Sequence, residues 1–175
     1  MDDLPDIALS VRQPWAWAII DGCKVIENRS EGAIRAGGMT CRRIAVHAAR
    51  GMTRREYDWA VWRLERHGVA CPRPDALPRG AIIGAVDVVE IVSDSDSEWF
   101  GGPMGLMLAR PMACEPIPAA GALGYFRWAP SEALAPVPRW MRDWGGAAAG
   151  PGLFDALPAA WARAPQKPFG GTKKT

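Results

Sequence analysis

The chain has 175 residues, a length typical of one domain with little room for a second. Hydrophobic residues make up 49% of it and charged residues 23%, which excludes extended disorder and a fibrous repeat. The net charge is only +2, so charge alone does not establish a nucleic-acid partner.

The first clear pattern is a short helix between Pro14 and Gly22. Pro14 suits the first helical position, where its missing N–H costs no hydrogen bond, and Gly22 suits the left-handed residue after the last turn. Trp15 and Ile19 share one face, so we expect the helix to be buried on one side. A strand is predicted to follow at residues 24–29.

Residues 42–48 are predicted to form a second strand, with His47 on the face opposite the aliphatic side chains. Thr53 and Glu56 then form a capping box, in which each side chain reaches the backbone N–H of the other residue. This pattern predicts a helix that ends near residue 67.

The middle of the chain is rich in β-branched residues. Residues 80–92 are predicted to form a long, bent strand, with Gly84 at a bulge. Shorter strands are predicted at residues 105–109 and 121–128, separated by a proline-rich turn at residues 116–118. Several short strands with two helices predict an α+β fold, a small, partly open β-barrel with flanking helices.

After residue 130 the pattern weakens. We expect residues 1–130 to form the barrel domain, residues 131–165 a C-terminal extension that packs on it, and residues 166–175 a flexible basic tail. An alternative is that the apolar side chains of the extension dock a protein partner. These side chains are Trp140, Trp144, Leu153, Phe154 and Trp161.

No apolar run approaches the roughly 18 residues that a membrane span needs, and the first six residues are acidic where a secretory signal would be basic. We therefore expect a cytoplasmic protein with no membrane partner. The four cysteines lie far apart, with no C-x-x-C pair and no histidine cluster nearby, so no zinc site is expected. No cofactor motif is present, so no cofactor is expected; a metal held by Glu27 and water is the alternative.

The densest group of charges is Lys24, Glu27 and Arg29, on a strand that we expect to be largely buried. Buried charges must be paired or used, because an isolated one costs several kcal/mol. The alternative is a solvated edge strand that carries salt bridges. In a regular strand Lys24 and Glu27 point to opposite faces, so they share a cleft only if the chain bulges or the strand begins near Val25.

Three motifs, in a fixed order along the chain, resemble those of the ASCH domain family. They are LSVRQPWA at residues 9–16, the element G-x-K-x-x-E-x-R at residues 22–29, and IAVHA at residues 44–48. The similarity continues through residues 80–84 to about residue 128. This resemblance implies a PUA-like barrel whose cleft, lined by Lys24, Glu27 and Arg29, binds RNA or a modified nucleotide.

The chemistry of these residues fits that expectation. Lys24 and Arg29 can neutralise phosphate, and Glu27 can accept a hydrogen bond from an exocyclic amine such as that of cytosine. Trp15 can offer a stacking face, although core packing is an equal alternative for it and the better one for Trp17. Two further candidate ligand-binding residues directly precede this helix, Arg12 and Gln13.

The resemblance also implies an alternative function as a metal-independent hydrolase, since some members hydrolyse acylated cytidines such as N4-acetylcytidine and others act as ribonucleases. The amidohydrolase pattern has threonine three positions after the lysine, and this chain has Glu27 there. Glu27 could instead act as a general base on water, with Lys24 stabilising the oxyanion. His47 is a further acid–base candidate. Asp87 or Glu90 could add a carboxylate, although solvent-facing positions suit both better.

Residues 42–66 hold seven arginines against three acidic residues. Arg55, Arg63 and Arg66 are placed to attract a phosphodiester backbone if their helix flanks the cleft. An ordinary solvated helix face is an equal alternative. His67 is predicted to interact with the helix dipole and to have no chemical role.

Overall fold

The computed structural model describes residues 4–145 of the chain. In this part, six strands and four helices follow one another in the order β1 (Ile7–Val11), α1 (Trp15–Asp21), β2 (Ile26–Arg29), α2 (Glu31–Ala36), β3 (Arg42–Ala48), α3 (Arg54–Arg66), β4 (Ala81–Val92), β5 (Met104–Pro118), β6 (Tyr125–Arg127) and α4 (Arg139–Arg142). A single turn of 3₁₀ helix, Pro74–Ala76, precedes β4.

The six strands form one sheet in the order β2-β5-β4-β3-β1-β6. Only β1 and β3 pair in parallel; every other neighbouring pair is antiparallel. The sheet must curl strongly, because Arg29 on β2 donates a hydrogen bond of 2.9 Å to the carbonyl oxygen of Ser10 on β1, across three intervening strands. The predicted α+β class, a partly open barrel with flanking helices, is confirmed.

The curl depends on irregular pairing of β4 with both of its neighbours. The register shifts between Ile82 and Gly84 on the β5 side, and the matching shift on the β3 side falls between Val46 and His47. A Cβ atom at Gly84 would lie 2.2 Å from the carbonyl oxygen of Met112, so only glycine lets β5 approach this closely. The predicted bulge at Gly84 is therefore confirmed.

Helix α1 lies between two hydrophobic cores. Ile19 and Ile20 pack with the sheet, whereas Trp17 packs with Tyr57 and Leu64 of α3. The helix ends as predicted, with Gly22 in the left-handed conformation at φ 88°. It begins one residue later than predicted, because Pro14 occupies the N-cap position.

Helix α3 follows its sequence pattern closely. The Thr53–Glu56 capping box is present, and the helix ends at Arg66 with His67 at the C-cap. Its inner face buries Tyr57, Ala60 and Leu64, and the opposite face is exposed.

Several predictions for the other elements were wrong. β1 and the short helix α2 were not predicted, and the strand predicted at residues 121–128 is limited to β6. The predicted turn at residues 116–118 is part of β5. β2 pairs only with Met104–Met107 of β5, so Pro116 and Pro118 lie where one side of β5 has no named strand partner and a missing N–H is tolerated.

The chain beyond residue 130 is described only as far as residue 145. Here α4 packs against the helical side of the domain: Met141 is fully buried, and the ring centroids of Trp144 and Tyr57 are 5.3 Å apart. The division at residues 130 and 165 stays a prediction, and the predicted basic tail lies outside the described residues. Among the helices of residues 4–145, none has the length and apolar character needed to cross a membrane.

Candidate functional site

A cavity of about 410 Å³ opens between the start of α1, strand β2, helix α3 and the loop after β4. This volume lies in the range of about 300–1,000 Å³ that is usual for small-molecule sites. The lining combines charged and aromatic side chains with one backbone segment: Trp15, Lys24, Glu27, Asn28, Trp59, Arg63, Trp99, Phe100 and Gly101.

Two of the predicted charged residues meet at the cavity. The Lys24 Nζ atom lies 2.7 Å from Glu27 Oε2, and these residues are only 6% and 9% exposed. They share one cleft because β2 begins at Ile26, so Lys24 precedes the regular strand and is free of its alternation. The pair therefore meets the condition for sharing a cleft, namely that the strand begins near Val25. Lys24 also donates a hydrogen bond to the backbone carbonyl of Ile26.

Arg29 lies behind this pair. Glu27 and Arg29 are two residues apart on β2 and therefore share a face, with Arg29 Nη2 3.1 Å from Glu27 Oε1. The Glu27 carboxylate is thus held between two cations. Arg29 is not among the residues that line the cavity, and its Nε is the one buried side-chain polar atom of residues 4–145 without a hydrogen-bond partner.

Three tryptophans form an aromatic wall. Trp15 contacts Trp59 and Trp99 edge-to-face, with ring centroids 5.4 Å and 6.3 Å away. Trp99 is nearly buried and stacks on His67 at 4.2 Å, which fixes its orientation. Trp59 is 54% exposed, so much of its indole is accessible to solvent. Trp17 lies in the core and is absent from the wall.

The loop that completes the cavity is tied to β2 by one side chain. Asn28 donates a hydrogen bond of 2.8 Å to the carbonyl oxygen of Trp99 and accepts one of 2.8 Å from the N–H of Gly101. Arg63 reaches the same loop from α3, where it donates to the carbonyl oxygen of Glu98 and lies 5.5 Å from the Trp99 ring. The rim therefore carries a positive charge.

The structure places Arg12 and Gln13 outside the cavity. Arg12 forms an exposed ion pair with Glu56 at the start of α3. Gln13 is 1% exposed; it accepts a hydrogen bond from the N–H of Trp17 and donates one to the carbonyl oxygen of Pro78, both at 2.9 Å. Its contacts position α1 against the chain before β4.

His47 is also remote from the cavity lining. It is buried, with hydrogen bonds of 2.9 Å between Nδ1 and the Ser10 hydroxyl and of 3.1 Å between Nε2 and the carbonyl oxygen of Ala119. Burial lowers the pKa of His47, although the hydrogen bond to Ala119 opposes the shift. The geometry therefore gives no support to an acid–base role at the cleft.

The two additional carboxylates considered from the sequence do not line the cavity either. Asp87 is buried between Arg43, at 2.8 Å, and Arg110. Burial alone would raise the pKa of Asp87, but the hydrogen bonds and charges of the two arginines outweigh it and lower the pKa. Glu90 is exposed. Within residues 4–145 no three His, Cys, Asp or Glu side chains are grouped closely enough to hold a metal ion.

Sequence reasoning missed most of the wall. Trp59 was missed, although it lies four residues before Arg63, which the sequence had already proposed as a phosphate-attracting residue; this spacing was a usable signal that both face the same side. Trp99, Phe100 and Gly101 lie more than 70 positions from Asn28, and no local pattern connects them to β2.

Comparisons with known proteins agree with the predicted family. The sequence profile of the ASCH domain matches residues 9–147. The crystal structure of the ASCH protein from Zymomonas mobilis has 17% sequence identity and a TM-score of 0.35, over 64% of this chain and 72% of that one. A mutant of the same protein gives 19% identity and a TM-score of 0.35, over 66% and 77% of the two chains. No curated protein matches the sequence. The chain belongs to the ASCH domain family.

Proposed function

We propose that this protein binds a base of single-stranded RNA, or a modified nucleotide, in the cavity between β2 and α3. The observation that carries this proposal is the placement of the exposed indole of Trp59 beside the buried Lys24–Glu27 pair, in a cavity of nucleotide size. The aromatic wall offers stacking, and the Lys24–Glu27 pair, which forms the floor of the cavity, offers polar contacts. Protein sites use this combination for unpaired bases.

The floor of the cavity can distinguish bases by their polar edge. A carboxylate has about four lone-pair sites; Lys24 occupies one on Oε2 of Glu27, and Oε1 has the Arg29 guanidinium 3.1 Å away as an ion-pair partner. Glu27 therefore retains capacity to accept a hydrogen bond from an exocyclic amine. A base with such an amine, cytosine in particular, fits this edge better than one with only carbonyl groups.

The charges around the cavity favour a phosphate. Lys24 and Arg63 line it and Arg29 lies behind it, whereas Glu27 is the only carboxylate among the described residues of its lining. The resulting positive balance attracts the phosphate that accompanies a nucleotide. A nucleoside monophosphate should therefore bind more tightly than the uncharged nucleoside.

The test is calorimetric titration of cytidine monophosphate into wild type, Trp59→Ala and Trp62→Ala. Trp59 and Trp62 are 54% and 52% exposed and lie on the same helix, but only Trp59 lines the cavity. Loss of stacking costs about 1–3 kcal/mol, so Trp59→Ala should weaken binding roughly 5- to 150-fold while Trp62→Ala leaves it unchanged. Equal affinity of all three proteins, or no binding by wild type, would refute the proposal.

A second candidate function rests on the 2.7 Å contact between Lys24 and Glu27 beneath the cavity. In this hydrolase, Glu27 takes a proton from water, whose oxygen forms a bond to the acyl carbon of an N4-acylated cytidine. Lys24 stabilises the oxyanion that develops. The C–N bond then breaks, and the proton passes from Glu27 to the departing amine.

Turnover distinguishes the two functions. N4-acetylcytidine and a short single-stranded RNA are incubated with wild type and Glu27→Gln, and the products are separated by chromatography. Product from wild type but not from a folded Glu27→Gln variant establishes the hydrolase. Binding without product leaves the protein as a binding module.

A further inference from the structure

We propose that the outer face of α3 carries the RNA strand away from the cavity, so that the protein binds several consecutive nucleotides. We call this face the α3 track and define it by Arg55, Trp59, Trp62, Arg63 and Arg66. The inference rests on the proposed function, because Trp59 and Arg63 are both lining residues of the cavity and members of the track.

Helix geometry places four of these side chains on one stripe, and Arg63 lies beside it, four residues after Trp59. Successive residues of an α-helix are about 100° apart, so Arg55, Trp59, Trp62 and Arg66, which follow one another at intervals of four, three and four, fall on one stripe. With about 1.5 Å of rise per residue, Trp59 and Arg66 are separated by about 10 Å along the helix axis. This distance accommodates two to three stacked nucleotides, spaced about 3.4 Å apart along one strand.

The two indoles of the track are unusual in their exposure. Among the tryptophans within residues 4–145, only Trp59 and Trp62 are exposed, and both lie on this stripe. The guanidinium of Arg66 lies 5.1 Å from the Trp62 ring and supports it from one side. An exposed indole with a cation against it is a stacking platform for an unpaired base, because every base has a π-face.

The charge of the track complements a phosphate backbone. Within the described residues, none of Arg55, Arg63 and Arg66 forms an ion pair with a carboxylate. By contrast, Arg54 on the adjacent side of the helix pairs with Asp58 at 3.7 Å. Guanidinium groups without acidic partners bind phosphate without first breaking an ion pair.

Continuity with the cavity favours a single strand of RNA over an RNA duplex as the occupant. Trp59 both lines the cavity and belongs to the track, so a strand whose base enters the cavity has its next nucleotides beside Trp62 and Arg66. Duplex RNA lacks the free base faces that the two indoles would contact.

The experiment compares cytidine monophosphate with a single-stranded RNA of about eight nucleotides, a length within the usual site size for such surfaces. Wild type, Trp62→Ala, Arg66→Gln and the control Arg54→Gln are titrated with each ligand at two salt concentrations. Trp62→Ala should weaken RNA binding roughly 5- to 150-fold and leave the mononucleotide unaffected. Arg66→Gln should weaken RNA binding and reduce its salt slope by about 1, whereas Arg54→Gln should match wild type.

The failures of the two proposals are separable. If wild type binds neither ligand, the proposed function fails and the α3 track fails with it. If wild type binds both ligands and Trp62→Ala and Arg66→Gln bind RNA as wild type does, only the track is refuted. If Trp62→Ala leaves RNA affinity unchanged but alters the oligomeric state measured by size-exclusion chromatography, a protein surface covers this face and the track is likewise refuted. Tighter binding of single-stranded DNA than of RNA of the same sequence would overturn RNA as the occupant.

Discussion

Replacing Glu27 with glutamine tests whether the charges beneath the cavity form one coupled unit. Glu27 is 9% exposed; it accepts a hydrogen bond from Lys24 at 2.7 Å, and its Oε1 atom forms an ion pair with Arg29 Nη2 at 3.1 Å. Glutamine keeps the shape of the side chain, but it removes the negative charge and turns an N–H₂ donor toward one of the two cations.

The expected cost follows from burial. Removing one partner of a buried ion pair costs about 3–5 kcal/mol, because the remaining charge is left uncompensated. Here the lower end applies, since the cavity admits solvent and Arg29 retains its hydrogen bond to Ser10. We expect a loss of about 3 kcal/mol in the free energy of unfolding, which corresponds to roughly 10 °C in Tm for a domain of this size.

Urea denaturation of Glu27→Gln provides the measurement, with Glu31→Gln as a matched control. Glu31 pairs with Arg35 on α2, with both side chains well exposed, so its substitution should change stability by less than about 0.5 kcal/mol. In a double-mutant cycle with Lys24→Met, the two substitutions should be non-additive by at least about 1 kcal/mol. A Glu27→Gln effect as small as that of Glu31→Gln would show that solvent screens the pair, and the coupled unit would be refuted.

Three further predictions concern other parts of the domain. Burial lowers the pKa of His47 in the folded protein, so the unfolded state binds more protons once the pH falls below the unfolded pKa of about 6.5. The free energy of unfolding should therefore be highest above about pH 6.5 and decrease as the pH falls through that value. Denaturation at two pH values should show a weaker pH dependence for His47→Gln, and an equal dependence in both proteins would contradict this. Gly84→Ala should lower the free energy of unfolding by at least about 2 kcal/mol, because the new Cβ would lie 2.2 Å from a carbonyl oxygen. Gly32→Ala, with open space around its Cβ, should not destabilise the protein. Similar denaturation midpoints for the two variants would contradict this. Asn28→Ala removes both hydrogen bonds to the Trp99–Gly101 loop, so hydrogen exchange at the Gly101 amide should accelerate at least about fivefold, and unchanged exchange would show that other contacts hold the loop.

Local signals predicted the parts of the fold that depend on neighbouring residues. The capping box at Thr53 set the start of α3, and Gly22 set the end of α1, because caps are satisfied within one helical turn. The bulge beside Gly84 was predictable for a similar reason, since a glycine within a β-branched run marks a close backbone approach.

Sheet pairing could not be read from the same local patterns. The prolines at positions 116 and 118 indicate a turn by composition, yet β5 continues through them because β4 supports it from one side. β1 is a short strand whose parallel partner, β3, lies more than 30 residues away, so nothing in its own sequence specifies the pairing.

In the candidate site, too, the residues that are close in sequence were predictable and those that meet only in the folded protein were not. The Lys24–Glu27–Arg29 group was identified from residues on one short segment, and the start of β2 at Ile26 decided which of two geometries it adopts. The aromatic wall required tertiary information, because Trp99 reaches the cavity through a loop after β4 and Trp59 through α3. Arg12 and Gln13 lie close to Trp15 in sequence, but their side chains make contacts outside the cavity, with Glu56 and Pro78 respectively.

The most direct test of ligand binding in the cavity follows the indole N–H signals by NMR during titration with cytidine monophosphate. The signals are assigned with single Trp→Phe variants. If the cavity is the binding site, the signals of Trp15, Trp59 and Trp99 shift, while those of Trp17 in the core and Trp128 near β6 stay in place. Saturable binding that moves only Trp17 or Trp128, or leaves all five signals unchanged, would contradict the assignment of this cavity as the site.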